Sequence, residues 1–156
     1  MKKIKIASLF LMLIVAACSK KDDTLANNSK TPMELITNGK WYRSAYTSSI
    51  PIDWNGNGVL ITNLFGAMEA CEKDNYLVFK SNLEIIFNEG ATKCRSSDPQ
   101  EETETWKFQN NDKEIVIGGG DPYTIVELTA TSLVVKDKNP SVYNGVSYHV
   151  TESFRH

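Results

Sequence analysis

Short runs that alternate polar with apolar residues, each closed by turn-forming chemistry, restrict this chain to antiparallel β-structure more firmly than any other feature of its sequence. The runs are Trp41 to Thr47, Tyr76 to Lys80, Glu84 to Phe87, Glu104 to Gln109, Glu114 to Ile117, Tyr123 to Leu128, Leu133 to Lys136 and Val146 to Phe154, all rich in aromatic or β-branched side chains. Between them lie Lys80-Ser81-Asn82, Asn88-Glu89-Gly90, Asn110-Asn111-Asp112, Gly118-Gly119-Gly120-Asp121-Pro122 and Asn139-Pro140, residue types that turn a chain within a few positions. Links this short join antiparallel neighbours. The expected fold is therefore all-β, a small antiparallel up-and-down β-barrel of about eight strands, since closure leaves no bare edge. Met33 to Ile36 and Asn63 to Ala70 are the stretches that read as short helices.

The N-terminus is of a different kind. Lys2, Lys3 and Lys5 give a positive start, and Ile6 to Val15 form an apolar run broken only by Ala7 and Ser8, the n-region and h-region of a signal peptide. A permanent bilayer span needs roughly 20 apolar residues, and this run is cut off by Cys18 and then by Lys20, Lys21, Asp22 and Asp23. Val15-Ala16-Ala17-Cys18 resembles the lipobox of bacterial lipoproteins, with valine where leucine is usual. The resemblance implies cleavage before Cys18 and a thioether-linked diacylglycerol on its thiol, so that a membrane is the first partner; the alternative is an ordinary secretory peptide with a chance cysteine. Ser19 stands where an aspartate would resemble an inner-membrane retention signal, so outer membrane is expected. Lys20-Lys21-Asp22-Asp23 reads either as a surface-export tag or as a solvated linker, leaving the periplasmic face and the cell surface both open. The organisation expected is a signal peptide over residues 1–17, a lipidated cysteine and disordered tether over 18–34, and one barrel domain over 35–156.

Removing the signal takes away three lysines and no acids, which moves the formal net charge from −2 to −5. Nothing in that balance invites nucleic acid. Lipidation of Cys18 leaves Cys71 and Cys94 in an oxidising compartment, where an even pair most simply forms a disulfide. The other reading of these thiols is nucleophilic or metal-binding, although neither has a neighbouring histidine and no C-x-x-C is present.

Gly39-Lys40-Trp41, at the start of the first strand, resembles the G-x-W motif of lipocalins. Ala70-Cys71-Glu72-Lys73-Asp74-Asn75, Glu89-Gly90-Ala91-Thr92-Lys93-Cys94, Asp98-Pro99, Thr105-Trp106 and Tyr123-Thr124-Ile125-Val126-Glu127-Leu128 extend the likeness from Leu35 over nearly the whole mature chain. The series is similar to bacterial lipocalin-like lipoprotein domains. That resemblance implies a small β-barrel, a disulfide between Cys71 and Cys94, a ligand-binding role, and an arginine on the last strand packed on the motif tryptophan, for which Arg155 is the candidate.

Candidate ligand contacts are Trp41, Tyr76, Trp106 and Tyr123, each with a plainer reading: Trp41 and Trp106 as core, the tyrosines as strand residues. Asp53-Trp54-Asn55-Gly56-Asn57-Gly58-Val59 puts side-chain oxygens at loop positions one, three and five and glycine at six, the first half of an EF-hand-type calcium loop, with the Val59 carbonyl as the next ligand. Position twelve is Leu64, so Glu69 or a nearby carbonyl must complete the shell. The competing reading is an Asn-Gly turn. His149 shares a strand face with Ser147, Thr151 and Ser153, and Glu101, Glu102 and Glu104 sit in a polar connection. Neither pattern makes a catalytic set, so a non-enzyme is expected. Two functions remain: capture of a small apolar ligand in the barrel, or a structural or interaction module displayed at the membrane, accessory to a surface complex.

Overall fold

The computed structural model describes residues 30–156; Cys18, the signal peptide and most of the tether lie outside them. The first element is a short helix, α1 (Pro32–Ile36), whose start is fixed by Thr31. The Glu34 amide donates to Thr31 Oγ1 at 3.2 Å and the Thr31 amide donates back to Glu34 Oε2 at 2.7 Å, a reciprocal cap that satisfies two helix-end donors. Met33 and Ile36 pack on the core, so the folded unit takes in α1 as a whole, from Pro32, three residues ahead of Leu35.

The strands follow as β1 (Trp41–Ile52), β2 (Ile61–Asn63), then helices α2 (Leu64–Ala67) and α3 (Ala70–Lys73), then β3 (Tyr76–Phe79), β4 (Glu84–Asn88), β5 (Glu101–Gln109), β6 (Glu114–Ile117), β7 (Tyr123–Leu128), β8 (Ser132–Asp137), β9 (Ser141–Tyr143), β10 (Val146–Tyr148) and β11 (Val150–Arg155). Strands β1, β3, β4, β5, β6, β7, β8 and β11 pair antiparallel in that order, and β11 returns to β1 through Tyr42↔Arg155 to Ser48↔Val150. The expected eight-stranded up-and-down barrel is thus closed, with β2 added beside the far half of β1.

Two departures from the sequence reading have local causes. The run Val146 to Phe154 is two strands: Asn144 and Gly145, at φ 50° and 80°, turn Tyr143 directly onto Val146, so β10 pairs with β9 in a separate two-stranded sheet, while β11 pairs with β8 and β1. This is the two-residue hairpin turn that Asn-Gly favours. His149 then breaks the ladder, its amide donating to Ser49 Oγ at 3.0 Å. Glu101 and Glu102 belong to β5, paired with Asn88 and Phe87, because the strand carries its solvated face out past the mouth of the barrel.

Trp41, Trp106, Ile85, Ile115 and Leu133 are fully buried with Ile36, and Phe79, Val135 and Phe154 complete the cluster. Trp41 closes one end, with its indole N–H donating 2.7 Å to the Ile36 carbonyl. The α1 helix and the turns after β3, β5 and β7 gather there. The segments 53–75, 89–100, 118–122 and 138–149 gather at the opposite, open end. A register shift between Arg43 and Ala45 changes which side chains of β1 face inward. Trp41 and Arg43 point in before the bulge, whereas Ser48 and Ile52 are buried after it, the re-aiming a bulge produces.

Candidate functional site

Toward the open end the core gives way to a cavity of about 150 Å³. Leu77 of β3, Phe87 of β4, Ile115 of β6 and Val135 of β8 form apolar walls, while Arg43, Tyr123 and Glu152 supply its polar groups. A second hollow of about 260 Å³ adjoins it, lined by Asn75, Tyr76, Asn88, Glu89 and Glu102. The two share Arg43, Leu77, Phe87 and Phe154. Each is smaller than the roughly 300 Å³ at which drug-sized sites begin, which limits an occupant to a small molecule.

The polar groups come from strand alternation. On β11 the inward set is Val150, Glu152 and Phe154, and on β1 Arg43 follows Trp41. Arg43 Nε and Nη2 both donate to Glu152 Oε2, each at 2.9 Å. The guanidinium lies 5.2 Å from the Tyr46 ring centroid and 5.7 Å from that of Phe154, and Met68 Sδ is 3.9 Å from Nη1. Burial pushes the Glu152 carboxyl above its ordinary value, against the pull of Arg43. Burial also pushes the Tyr46 hydroxyl up to about 12, helped by the Glu152 charge. Tyr123 is raised by burial and by Glu152 and Asp137. Asp137 is raised by burial, opposed by the Val150 amide and by His149. Burial is the first cause of each of these shifts, so the four groups share a desolvated environment.

One lip of the mouth is stapled. Cys71 and Cys94 form a disulfide with Cα atoms 5.2 Å apart, joining α3 to the segment after β4 as expected. Beside it Asp74 Oδ2 accepts the Ala91 and Thr92 amides, each at 2.9 Å. Gly90, at φ 67°, has Asp74 so close that a Cβ would collide with its backbone carbonyl. Glycine is required there by contact as well as by conformation.

Of the residues singled out in the sequence, Tyr123 lines the cavity and Tyr76 the adjoining hollow; the Tyr76 ring also carries the Lys40 ammonium, 4.1 Å from its centroid, and Lys40 does not line the hollow. Trp41 is the plug of the closed end. Trp106 is 2 % exposed, edge-on to Phe79 and Phe108 with centroids 5.0 and 5.1 Å away, and donates to the Lys80 carbonyl; it belongs to the core. Arg155 is exposed, and the ring stacked on Trp41 is that of His156. In the loop from Asp53 to Val59, Asp53 Oδ2 accepts the Gly58 amide at 3.0 Å and Asn57 Oδ1 the Val59 amide at 2.8 Å. Asp53 Oδ1 is buried without a hydrogen-bond partner, Asn55 is exposed, and Leu64 is wholly buried where a closing ligand would stand. A calcium ion would therefore find one buried carboxylate oxygen and two oxygens already engaged by amides.

Arg43, Tyr46 and Glu152 were missed by the sequence reading. The signal for two of them was present: each charge stands two residues from a large aromatic on the same strand, Trp41 and Phe154, and period two sends both to one face. Tyr46 had none, because its facing depends on the bulge.

A comparison with curated proteins finds no match. Three solved structures match this chain. A DUF4847 family protein from Bacteroides vulgatus has 11% identity and a TM-score of 0.44 over 81% of this chain and 97% of its own. A deswapped triple mutant of bovine odorant binding protein has 21% identity and a TM-score of 0.41 over 76% and 72%. Bovine odorant binding protein in complex with a selenium-containing odorant has 21% identity and a TM-score of 0.38 over 81% and 73%. Residues 37–135, more than half of the sequence, match the profile of the lipocalin-like domain, and the chain belongs to that family.

Proposed function

We propose that this chain is a binding protein, not an enzyme, held to the outer membrane by lipid on Cys18 and taking a small, mainly apolar ligand at the open end of its barrel. The observation that carries the reading is the apolar cavity of about 150 Å³ with Arg43, Tyr123 and Glu152 at its edge. A mostly apolar hollow with a few convergent polar groups is the usual form of a small-molecule site. Lipocalin-like membership supports it, as does the disulfide that fixes one side of the mouth. Native mass spectrometry of the purified domain tests it: the expected result is a bound small molecule, lost on denaturation. Val135→Phe, which fills the cavity, should abolish that adduct while the circular dichroism stays that of the barrel. A domain that never carries or accepts a small apolar molecule would overturn the proposal.

A second reading, an interaction module displayed at the membrane, is favoured by the loop after β1. Trp54, Val59 and Leu60 are 43 %, 57 % and 57 % exposed there, an apolar group that a protein partner could cover. Under this reading Val59→Ser and Leu60→Ser weaken complex formation and leave small-molecule binding unchanged.

A further inference from the structure

We infer that the ligand selected by this cavity carries a positive charge, a small ammonium compound with an apolar body whose head sits among Tyr46, Tyr123, Asp137 and Glu152. The inference rests on the proposed binding role and adds the sign of the ligand.

Pairing brings these four residues together. Tyr46 on β1 is opposite Glu152 on β11, Glu152 is opposite Val135 on β8, and Asp137, two residues on, is opposite Tyr123 on β7. Leu133 and Val135 are buried, so Asp137 takes the inward side of β8 with them. Arg43, Tyr123 and Glu152 line the cavity itself, and Asp137 stands next to it, its charge close enough to be felt by Tyr46, Tyr123 and Glu152. The guanidinium is already committed, with two of its nitrogens on one oxygen of Glu152 and a tyrosine and a phenylalanine ring beside it. Asp137 Oδ2 accepts only the Val150 amide, at 3.2 Å, and forms no ion pair among the described residues. His149 meets Asp137 at its backbone carbonyl, 2.9 Å from Nδ1. Lys138, the neighbouring cation, is paired with Glu114.

An anionic ligand would have to separate Arg43 from Glu152 and then face Asp137, leaving a carboxylate buried without its partner. A cation needs no such rearrangement. It meets one carboxylate that forms no ion pair among the described residues, a second whose Oε1 takes no hydrogen bond from Arg43, and the ring of Tyr123, an aromatic face of the kind that attracts cations. The Tyr46 ring is already taken by the Arg43 guanidinium and by Trp54, edge-on at 5.3 Å. The tyrosine hydroxyls make no hydrogen bond among the described residues and are free to accept from an N–H. Below them Leu77, Phe87 and Ile115 offer the apolar body its place.

The test uses three probes of matched size on the purified domain at neutral pH: phenethylammonium, phenethyl alcohol and phenylacetate, followed by calorimetry. Phenethylammonium should bind about tenfold more tightly than the alcohol, the scale of one screened charge interaction, and phenylacetate more weakly than either. Asp137→Asn, which keeps an acceptor for the Val150 amide, should bring the ammonium within about twofold of the alcohol; Glu152→Gln should turn the preference toward phenylacetate by freeing Arg43. Equal binding of ammonium and alcohol, or tighter binding of phenylacetate to the unaltered domain, overturns the charge assignment and leaves the binding role standing. Failure of all three probes to bind overturns both.

Discussion

His156 lies against Trp41, ring centroids 4.0 Å apart and planes tilted by 36°, with its Nδ1 2.7 Å from the Lys40 carbonyl. The imidazole therefore occupies the place where the lipocalin resemblance implies an arginine, and it covers the tryptophan that plugs the closed end. An aromatic pair of this kind is worth about 1 kcal/mol beyond its area. His156→Ala should lower stability by roughly that amount, and His156→Phe should retain most of it. Urea denaturation of the two variants decides the point: an alanine variant as stable as the native domain would mean that the ring merely rests on the surface.

The disulfide makes a larger and separable contribution. It closes a loop with a sequence separation of 23, for which the chain-entropy model gives about 3 kcal/mol. Reduction, or the pair Cys71→Ser and Cys94→Ser, should lower the melting temperature by several degrees and loosen the lip beside the second hollow. Thiol labelling of the unreduced domain should detect neither cysteine. Two labelled thiols before reduction would contradict the bond.

The barrel was legible because its strands are short and half-buried, so period two and turn chemistry record where each begins and ends. What was lost depends on single residues acting across the sheet. Asn144-Gly145 carried the hairpin signal in plain view, whereas the break at His149 had none, because it follows from a hydrogen bond to Ser49 on another strand, so Val146 to Phe154 read as one strand. The inward turn of Tyr46 follows from a bulge, which has no period of its own. The inward facing of Arg43 and Glu152 is written in the alternation of each strand, but their pairing with one another is not, since nothing in either strand names the other. The stacking of His156 on Trp41 likewise joins residues that meet only when the ring of strands closes.

The carboxyls on the two sides of the sheet predict opposite pH dependences. Glu152 is raised above 4.5 by burial, with Arg43 opposing. Its native form holds a proton in a window where the unfolded chain has lost it, so stability falls as pH climbs from about 4.5 through the folded value. Glu114 is lowered, first by Lys138 and then by Gln109 and Asn110. Its contribution is present above 4.5 and is lost as pH falls through its folded value. Glu152→Gln should flatten the upper decline and Glu114→Gln the acid limb, each read from urea midpoints across pH. Identical profiles in the native domain and Glu152→Gln would refute the first assignment.

The proposed anchoring would rest on one atom, the Cys18 sulfur. Several acyl chains at roughly 0.8 kcal/mol per buried methylene make release negligible, so the mature protein should partition wholly into detergent. Cys18→Ser should leave it in the aqueous phase or unprocessed. Detergent partitioning that survives the substitution would remove the lipid anchor from the proposal.

The loop from Asp53 to Val59 tests whether a turn is also a metal site. Ile52 pairs with Ile61, so the loop is the tip of a hairpin, and its shape is already held by Asp53 Oδ2 on the Gly58 amide and Asn57 Oδ1 on the Val59 amide. Gly56 and Gly58, at φ 71° and 83°, permit the bend. Asp53→Ala removes a hydrogen bond to a charged acceptor and should cost about 2 kcal/mol even in chelator. The calcium role rests on the other oxygen, Asp53 Oδ1, buried and without a donor, together with Asn55 and the Val59 carbonyl. Ion binding to the native state alone, at about 100 times Kd, adds roughly 2.7 kcal/mol. Millimolar calcium should therefore raise the melting temperature of the native domain and leave that of Asp53→Ala unchanged. A native domain that melts at one temperature in calcium and in chelator would strike calcium from the protein, and the cost of Asp53→Ala in chelator would then measure the turn alone.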